Sequence, residues 1–170
     1  PTTTEDVRTF QDQIERRGIA RIHRHSYIRG QADRAVARGD AVRILPGVVA
    51  ATPLARDPET IIRALFLWHR DVVLVGKTAL ILLGMTAPGS VRPMDLRTVD
   101  KVEAFSRTRA LVRPGIRVHR WHVPHRFITE RERIRLAAPE VSVLVLAIQG
   151  EWEWVCEALR QRLVTPESCR

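Results

Sequence analysis

Long hydrogen-bonding side chains occur together on one short segment of the chain. Arg29, Gln31 and Arg34 are spaced so that, on a helix, they point away from the apolar residues between them. Arginine can donate two hydrogen bonds to guanine and glutamine can pair with adenine, so we expect these three residues to contact base edges. Neighbouring polar side chains would hold the phosphate backbone. The predicted backbone contacts are Arg21, Arg24, Ser26, Tyr27, Arg38 and Arg43.

A second basic cluster lies within residues 92–135, which hold twelve Arg or Lys and five Asp or Glu. Arg117, Arg120, Trp121 and Arg126 interleave cations with an aromatic ring. This pattern suits either a nucleic acid or an acidic protein face, so we expect a partner surface or a second DNA surface here. Solvated arginines along a strand pair are the alternative interpretation.

The total charge favours a polyanionic partner. The 170 residues carry 28 Lys and Arg against 19 Asp and Glu, a net charge of +9 with a pI near 11.1. An apolar fraction of 45% argues against disorder, and no apolar run approaches the roughly 18 residues of a membrane span. Two cysteines cannot build a disulfide framework, so the sequence predicts a cytoplasmic protein.

The patterns that would indicate an enzyme are incomplete. Gly76–Thr78 follows an apolar strand as a phosphate-binding loop would, but Asp71 stands where that loop needs its first glycine. His119, His122 and His125 are spaced by three, which on a strand sends successive side chains to opposite faces. We therefore predict no catalytic residue, no cofactor and no metal site.

Local patterns predict the elements that would position the first basic segment. Three helices followed by a hairpin describe a winged helix-turn-helix, which we place at residues 1–52. The helices are predicted at about 4–17, 20–25 and 28–38, and the strands at 41–45 and 48–50. A solvated basic face on a helix bundle is the alternative, and the hairpin argues against it.

The remaining residues, 53–170, are predicted to form a small mixed α/β domain, which makes the whole chain α+β. A linker at 51–57 leads to a helix that Asp57 caps and Pro58 begins. Beyond that helix, strands are expected at 71–75, 93–99 and 116–129, and helices at 77–83, 139–148 and 151–163.

Three segments, taken in order, resemble the AbiEi-type antitoxin family. They are the run ARGDAVRILPGV at 37–48, the run VLVGKTALILLG at 73–84, and the proline-anchored helix at 139–147. The chain departs from the family at Gly76, where His is common, and at Val141 and Val145, where Arg and Asp are common. The resemblance implies a non-enzymatic regulator whose N-terminal winged helix represses its own operon. It also implies that the C-terminal domain counteracts a nucleotidyltransferase-like toxin.

Two functions follow from these observations. The first is an antitoxin that binds double-stranded operator DNA. The second is the DNA-targeting portion of a Vsr-like endonuclease whose catalytic domain lies outside this sequence.

Overall fold

The computed structural model describes residues 10–22, 28–165 and 167–168. The chain mixes helices with two sheets, which confirms the predicted α+β class. It divides into two compact units, residues 1–70 and residues 71–170.

The first unit pairs helices with a three-stranded antiparallel sheet in the order β1-β3-β2. Its elements are α1 (Phe10–Arg17), β1 (Ile19–Arg21), α2 (Ile28–Arg38), β2 (Ala41–Leu45), β3 (Val48–Ala51) and α3 (Pro58–Trp68). The predicted helix at 28–38 and the predicted hairpin are confirmed. The part of the predicted helix at 4–17 that precedes Phe10 lies outside the described residues.

Small residues bring α2 close to the sheet. Ala32 and Ala35 are buried on one face of α2, and they pack in one cluster with Phe10 of α1 and Val49 of β3. Gly47 turns the hairpin with a φ of 74°, a conformation that favours glycine. Its carbonyl accepts a hydrogen bond from the N–H of Ile22 at 2.7 Å, which ties the end of β1 to the turn.

Helix α3 belongs to this first unit. Asp57 caps it as predicted, because its Oδ2 accepts hydrogen bonds from the N–H of Thr60 at 2.9 Å and from its hydroxyl at 2.8 Å. Ile61, Ile62 and Leu65 are buried on the helix, which packs against all three strands. The compact unit therefore extends to residue 70, past the boundary between 52 and 53 that the sequence predicts.

The second unit is built on a mixed six-stranded sheet in the order β6-β7-β5-β4-β9-β8. Strands β4 and β9 run parallel, as do β5 and β7, and the other neighbours are antiparallel. Its strands are β4 (Val73–Leu74), β5 (Val102–Ser106), β6 (Leu111–Arg113), β7 (Ile116–Arg120), β8 (Ile128–Arg131) and β9 (Ile134–Ala137). Its helices are α4 (Gly76–Leu82), α5 (Pro139–Ile148) and α6 (Trp152–Arg160).

The helix predicted at 20–25 is wrong in the part that the structure describes. Ile19–Arg21 is instead a strand, which pairs with Val48–Ala50. Three residues carry too little periodicity to indicate a strand, and their hydrogen-bond partners lie almost thirty residues further along the chain.

Two predicted strands of the second unit also differ from the structure. Asp95 accepts a hydrogen bond from the N–H of Arg97 at 2.8 Å and so starts a 3-10 helix at Leu96–Thr98, within the predicted strand at 93–99. The strand predicted at 116–129 ends at Arg120, since Pro124 and a 3-10 helix interrupt it.

Glu157 and Gln161 form a hydrogen-bonded group that connects the end of α6 to the loop after α4. The Glu157 carboxylate accepts hydrogen bonds from Arg160 and Gln161. Gln161 in turn donates from Nε2 to the carbonyl of Thr86 at 2.8 Å and accepts the N–H of Thr86 on Oε1 at 2.8 Å. The hydrogen bonds from Arg160 and then Gln161 lower the pKa of Glu157 from 4.5 to about 2.

We expect the free energy of unfolding of Glu157→Gln to depend less on pH below 4.5 than that of the unsubstituted protein. Because the folded pKa lies below the unfolded one, the carboxylate contributes fully above a pH of 4.5, and its contribution is lost as the pH falls towards about 2. Denaturant unfolding across this range should show the two proteins converging in free energy of unfolding as the pH falls. Glu153→Gln, on the same helix, is the control, and a difference that stays constant with pH would contradict the prediction.

Candidate nucleic-acid interface

The outer face of α2 is basic, and it includes two small residues, Gly30 and Ala37. Ala32 and Ala35 are buried beneath the helix, so the residues on the opposite side are exposed. We call this set the α2 face. It comprises Arg29, Gly30, Asp33, Arg34, Ala37 and Arg38.

Gly30 and Arg34 lie one turn apart on the α2 face. A Cβ placed on Gly30 would meet Nη1 of Arg34 at 3.8 Å, so the Arg34 side chain extends back over the glycine towards the start of the helix. Gly30 has no side chain and Ala37 has only a methyl group, so Arg34 lies over this part of the face without obstruction. Arg29 and Arg34 are the exposed cations of the first half of the helix.

Gln31 does not share this outward orientation. Its Oε1 accepts a hydrogen bond from the N–H of Phe10 at 3.0 Å, in a half-buried position between α2 and α1. The side chain that the sequence predicts as a base contact therefore has its acceptor directed at the first helix. Phe10 is twenty-one positions away, so no local pattern could have indicated this bond.

Two of the predicted phosphate contacts carry intramolecular ion pairs. Arg38 Nε lies 2.8 Å from Asp40 Oδ2, just beyond the end of α2. Arg43 of β2 donates from Nη2 to Asp33 of α2, which joins the hairpin to the exposed helix. All four side chains are about half exposed or more. Ion pairs this exposed contribute little to stability and can be exchanged for contacts with phosphate.

Of the remaining predicted DNA contacts, Arg21 is the one that the structure describes. Arg21 is exposed at the end of β1, where its backbone pairs with Val48. Arg24, Ser26 and Tyr27 lie outside the described residues.

The second predicted cluster is not one continuous surface. The side chains of Arg117 and Arg120 lie on opposite faces of β7, because side chains alternate along a strand. Trp121 packs edge-on against Phe105, with ring centroids 4.8 Å apart. Arg126 lies over the ring of Phe127, 4.8 Å from its centroid.

Glu103 is a buried carboxylate that the sequence pattern does not single out. It is 4% exposed on β5, and both carboxylate oxygens accept hydrogen bonds from Gln149 Nε2 at 3.1 and 3.2 Å. Three basic groups stand 3.8 to 3.9 Å from Oε1, namely Lys101 Nζ, Arg117 Nη1 and His119 Nε2. Arg117 thus faces an internal carboxylate in addition to solvent.

Gly76 and Lys77, at the start of α4, are each explained by a contact within the second unit. A Cβ on Gly76 would lie 3.1 Å from Glu103 Oε2, and the residue has a φ of 62°. Lys77 Nζ lies 2.9 Å from Glu151 Oε1 and 5.3 Å from the centroid of the Trp154 ring. The glycine therefore makes room for the buried carboxylate, and the lysine joins α4 to α6.

Among the described residues, no group of three or more His, Cys, Asp or Glu is arranged to hold a metal ion. No helix in this part of the chain has the length and apolar character needed to cross a membrane. Comparisons with protein-family models, curated proteins and solved structures give no match.

We expect Gln31→Ala to lower the free energy of unfolding by about 1 kcal/mol, because it leaves the half-buried N–H of Phe10 without its acceptor. Gln11→Ala is the matched control. It removes only an exposed hydrogen bond to Glu15 and should change stability by less than about 0.5 kcal/mol. Urea unfolding of both variants would measure the difference, and equal effects would contradict a structural role for Gln31.

Proposed function

We propose that the first unit is a winged helix-turn-helix domain that binds double-stranded DNA, and that the protein is a non-enzymatic transcriptional regulator acting in the cytoplasm. The observation that carries the proposal is the arginine-bearing α2 face, presented beside the β2–β3 hairpin by a three-stranded β1-β3-β2 sheet. In winged-helix proteins the helix before the hairpin enters the major groove and the hairpin contacts the backbone.

The relation between α2 and the hairpin supports this assignment. Only Gly39 and Asp40 separate α2 from β2, and the N–H of Asp40 donates to the carbonyl of Ala35 at 3.0 Å. The hairpin is thereby fixed relative to the end of the helix. Arg43 reaches from the hairpin to Asp33 on the helix, so the two elements present their charges together.

The shape of the α2 face suits the major groove, which is about 12 Å wide. Arg34 extends over Gly30 towards the start of the helix, and with Arg29 it would present two exposed guanidinium groups to the base edges. Arg38 and Arg43 would exchange their carboxylate partners for phosphate oxygens on binding, since their present ion pairs are exposed.

The antitoxin assignment is the finer part of the proposal. It rests on the ordered resemblance of the segments at 37–48, 73–84 and 139–147 to AbiEi-type antitoxins. On this assignment the operator would belong to the operon that encodes the protein, and the second unit would oppose a nucleotidyltransferase-like toxin.

We expect Arg34→Ala and Arg43→Ala to weaken DNA binding in different ways. Loss of Arg34 should cost about 1 to 3 kcal/mol on a preferred duplex and relax the sequence preference, because it removes a base contact. Loss of Arg43 should weaken all duplexes similarly and lower the salt dependence by about one phosphate contact. Fluorescence anisotropy on a duplex selected from a random pool, and on a scrambled duplex, would measure both effects.

Arg56→Ala is the control for these two variants, since Arg56 is exposed in the same unit but lies beyond the hairpin and off the α2 face. It should leave both affinities nearly unchanged. If Arg34→Ala and Arg43→Ala lose equal affinity for the preferred and scrambled duplexes, Arg34 does not read bases.

We expect Asp33→Ala to increase affinity for scrambled DNA by about three- to tenfold at low salt, because it removes a negative charge from the α2 face and releases Arg43. In an Arg43→Ala background the same substitution should give a smaller gain, because the negative charge is still removed but no arginine is released, and the difference between the two gains measures the contribution of the pair. Asp33→Asn keeps the side-chain shape while removing the charge, and it should reproduce the gain. Weaker binding by either single variant would instead make Asp33 a direct DNA contact.

A further inference from the structure

Two adjoining cavities open on the second unit. One has a volume of about 190 Å³ and the other about 500 Å³. They share Trp121, His122 and Val123 as lining residues, so the same short segment after β7 forms a wall of each. The two differ sharply in chemistry.

The smaller cavity is cationic because two arginines, Arg107 and Arg135, line it. His122 and His125 add polar ring nitrogens to the same lining. Among the described residues, Asp71 is the acidic residue that lines it, and its carboxylate accepts hydrogen bonds from the Ser106 hydroxyl and the N–H of Arg107, each at 2.9 Å. The balance of charge in this cavity favours an anionic group.

The larger cavity is mainly apolar. Phe127, Val141, Leu144 and Ala147 line it along one side of α5 and the segment before β8. Leu144 is 51% exposed and Trp121 is 50% exposed, so apolar surface faces open space here. A volume of about 500 Å³ lies within the range of about 300 to 1,000 Å³ that is typical of small-molecule sites.

We propose that the two cavities form one binding site for a small amphipathic carboxylate. Its anionic group would occupy the cationic cavity beside Arg107 and Arg135, and its apolar body would pass Trp121 to lie along α5. Within the part of the chain that the structure describes, Glu140 is the one acidic residue lining the larger cavity, and it disfavours placing the anionic group there. The charges on the two sides of Trp121 therefore fix the direction of the ligand.

The position of Trp121 supports a site of this shape. Its backbone N–H donates to the carbonyl of Ser106 at 3.0 Å, and its ring packs edge-on against Phe105. The residue lines both cavities and is half exposed, so its ring is accessible to an apolar chain. Aromatic side chains held in this way provide large contact area at a low cost in conformational entropy.

The test compares three ligands of equal chain length, decanoate, decanol and decyltrimethylammonium, by isothermal titration calorimetry on the full chain. Decanoate should bind at least about tenfold more tightly than decanol, because hydrogen bonds to a charged group contribute more than one tenfold step in affinity. Decyltrimethylammonium should bind most weakly of the three. Arg107→Gln should reduce the affinity for decanoate about tenfold and leave that for decanol unchanged.

Two further variants control this experiment. Arg113→Gln removes an exposed arginine of β6 that lines neither cavity, and it should leave decanoate binding unchanged. Leu144→Asp alters a half-exposed side chain of the apolar cavity and should abolish binding of decanoate and decanol alike. Equal affinity for decanoate and decanol, an equal effect of Arg107→Gln and Arg113→Gln, or no decanoate binding below its micellar concentration would overturn the proposal. Because no DNA is present, these outcomes are independent of the proposed function.

Discussion

Helix α2 packs on the sheet of the first unit through Ala32 and Ala35, and the exposed α2 face depends on that contact. Both alanines are buried, and their small side chains let the helix pack against the sheet in one cluster with Val49. A larger residue at either position would lift or rotate the helix, since cores are packed to near-crystalline density. The orientation of the outer face relative to the sheet therefore depends on the small side chains of the inner face.

The hairpin and α2 are also joined by an ion pair that lies beside an irregularity in strand pairing. The register of β2 against β3 shifts between Arg43 and Leu45, and an irregularity of this kind redirects the side chains beside it. Arg43 meets Asp33 across the gap between strand and helix. The ion pair is exposed, so it orients the arginine without contributing much to stability. A surface built in this way keeps its cations in place and leaves them able to exchange partners.

In the second unit a buried carboxylate has a comparable influence. Glu103 is held by Gln149, lies within 4 Å of three basic groups, and occupies the space that a side chain on Gly76 would need. Burying an ionised group is costly unless charges and hydrogen bonds compensate for it. This requirement accounts for the partly inward orientation of Arg117, which the sequence presents as one more exposed cation.

The sequence by itself determined the elements whose signals are local. The periodicity of α2, the turn at Pro46–Gly47 and the cap and proline that begin α3 all act within one or two helical turns, and they gave these elements nearly correct bounds. Only the tertiary structure decided the pairing of β1 with β3, the hydrogen bond from the Phe10 N–H to Gln31, and the meeting of two chemically different cavities at Trp121. Each of these joins segments that are distant in sequence. The residue types in these segments could each pair with several other segments, and the packing of the whole unit determines which pairing forms.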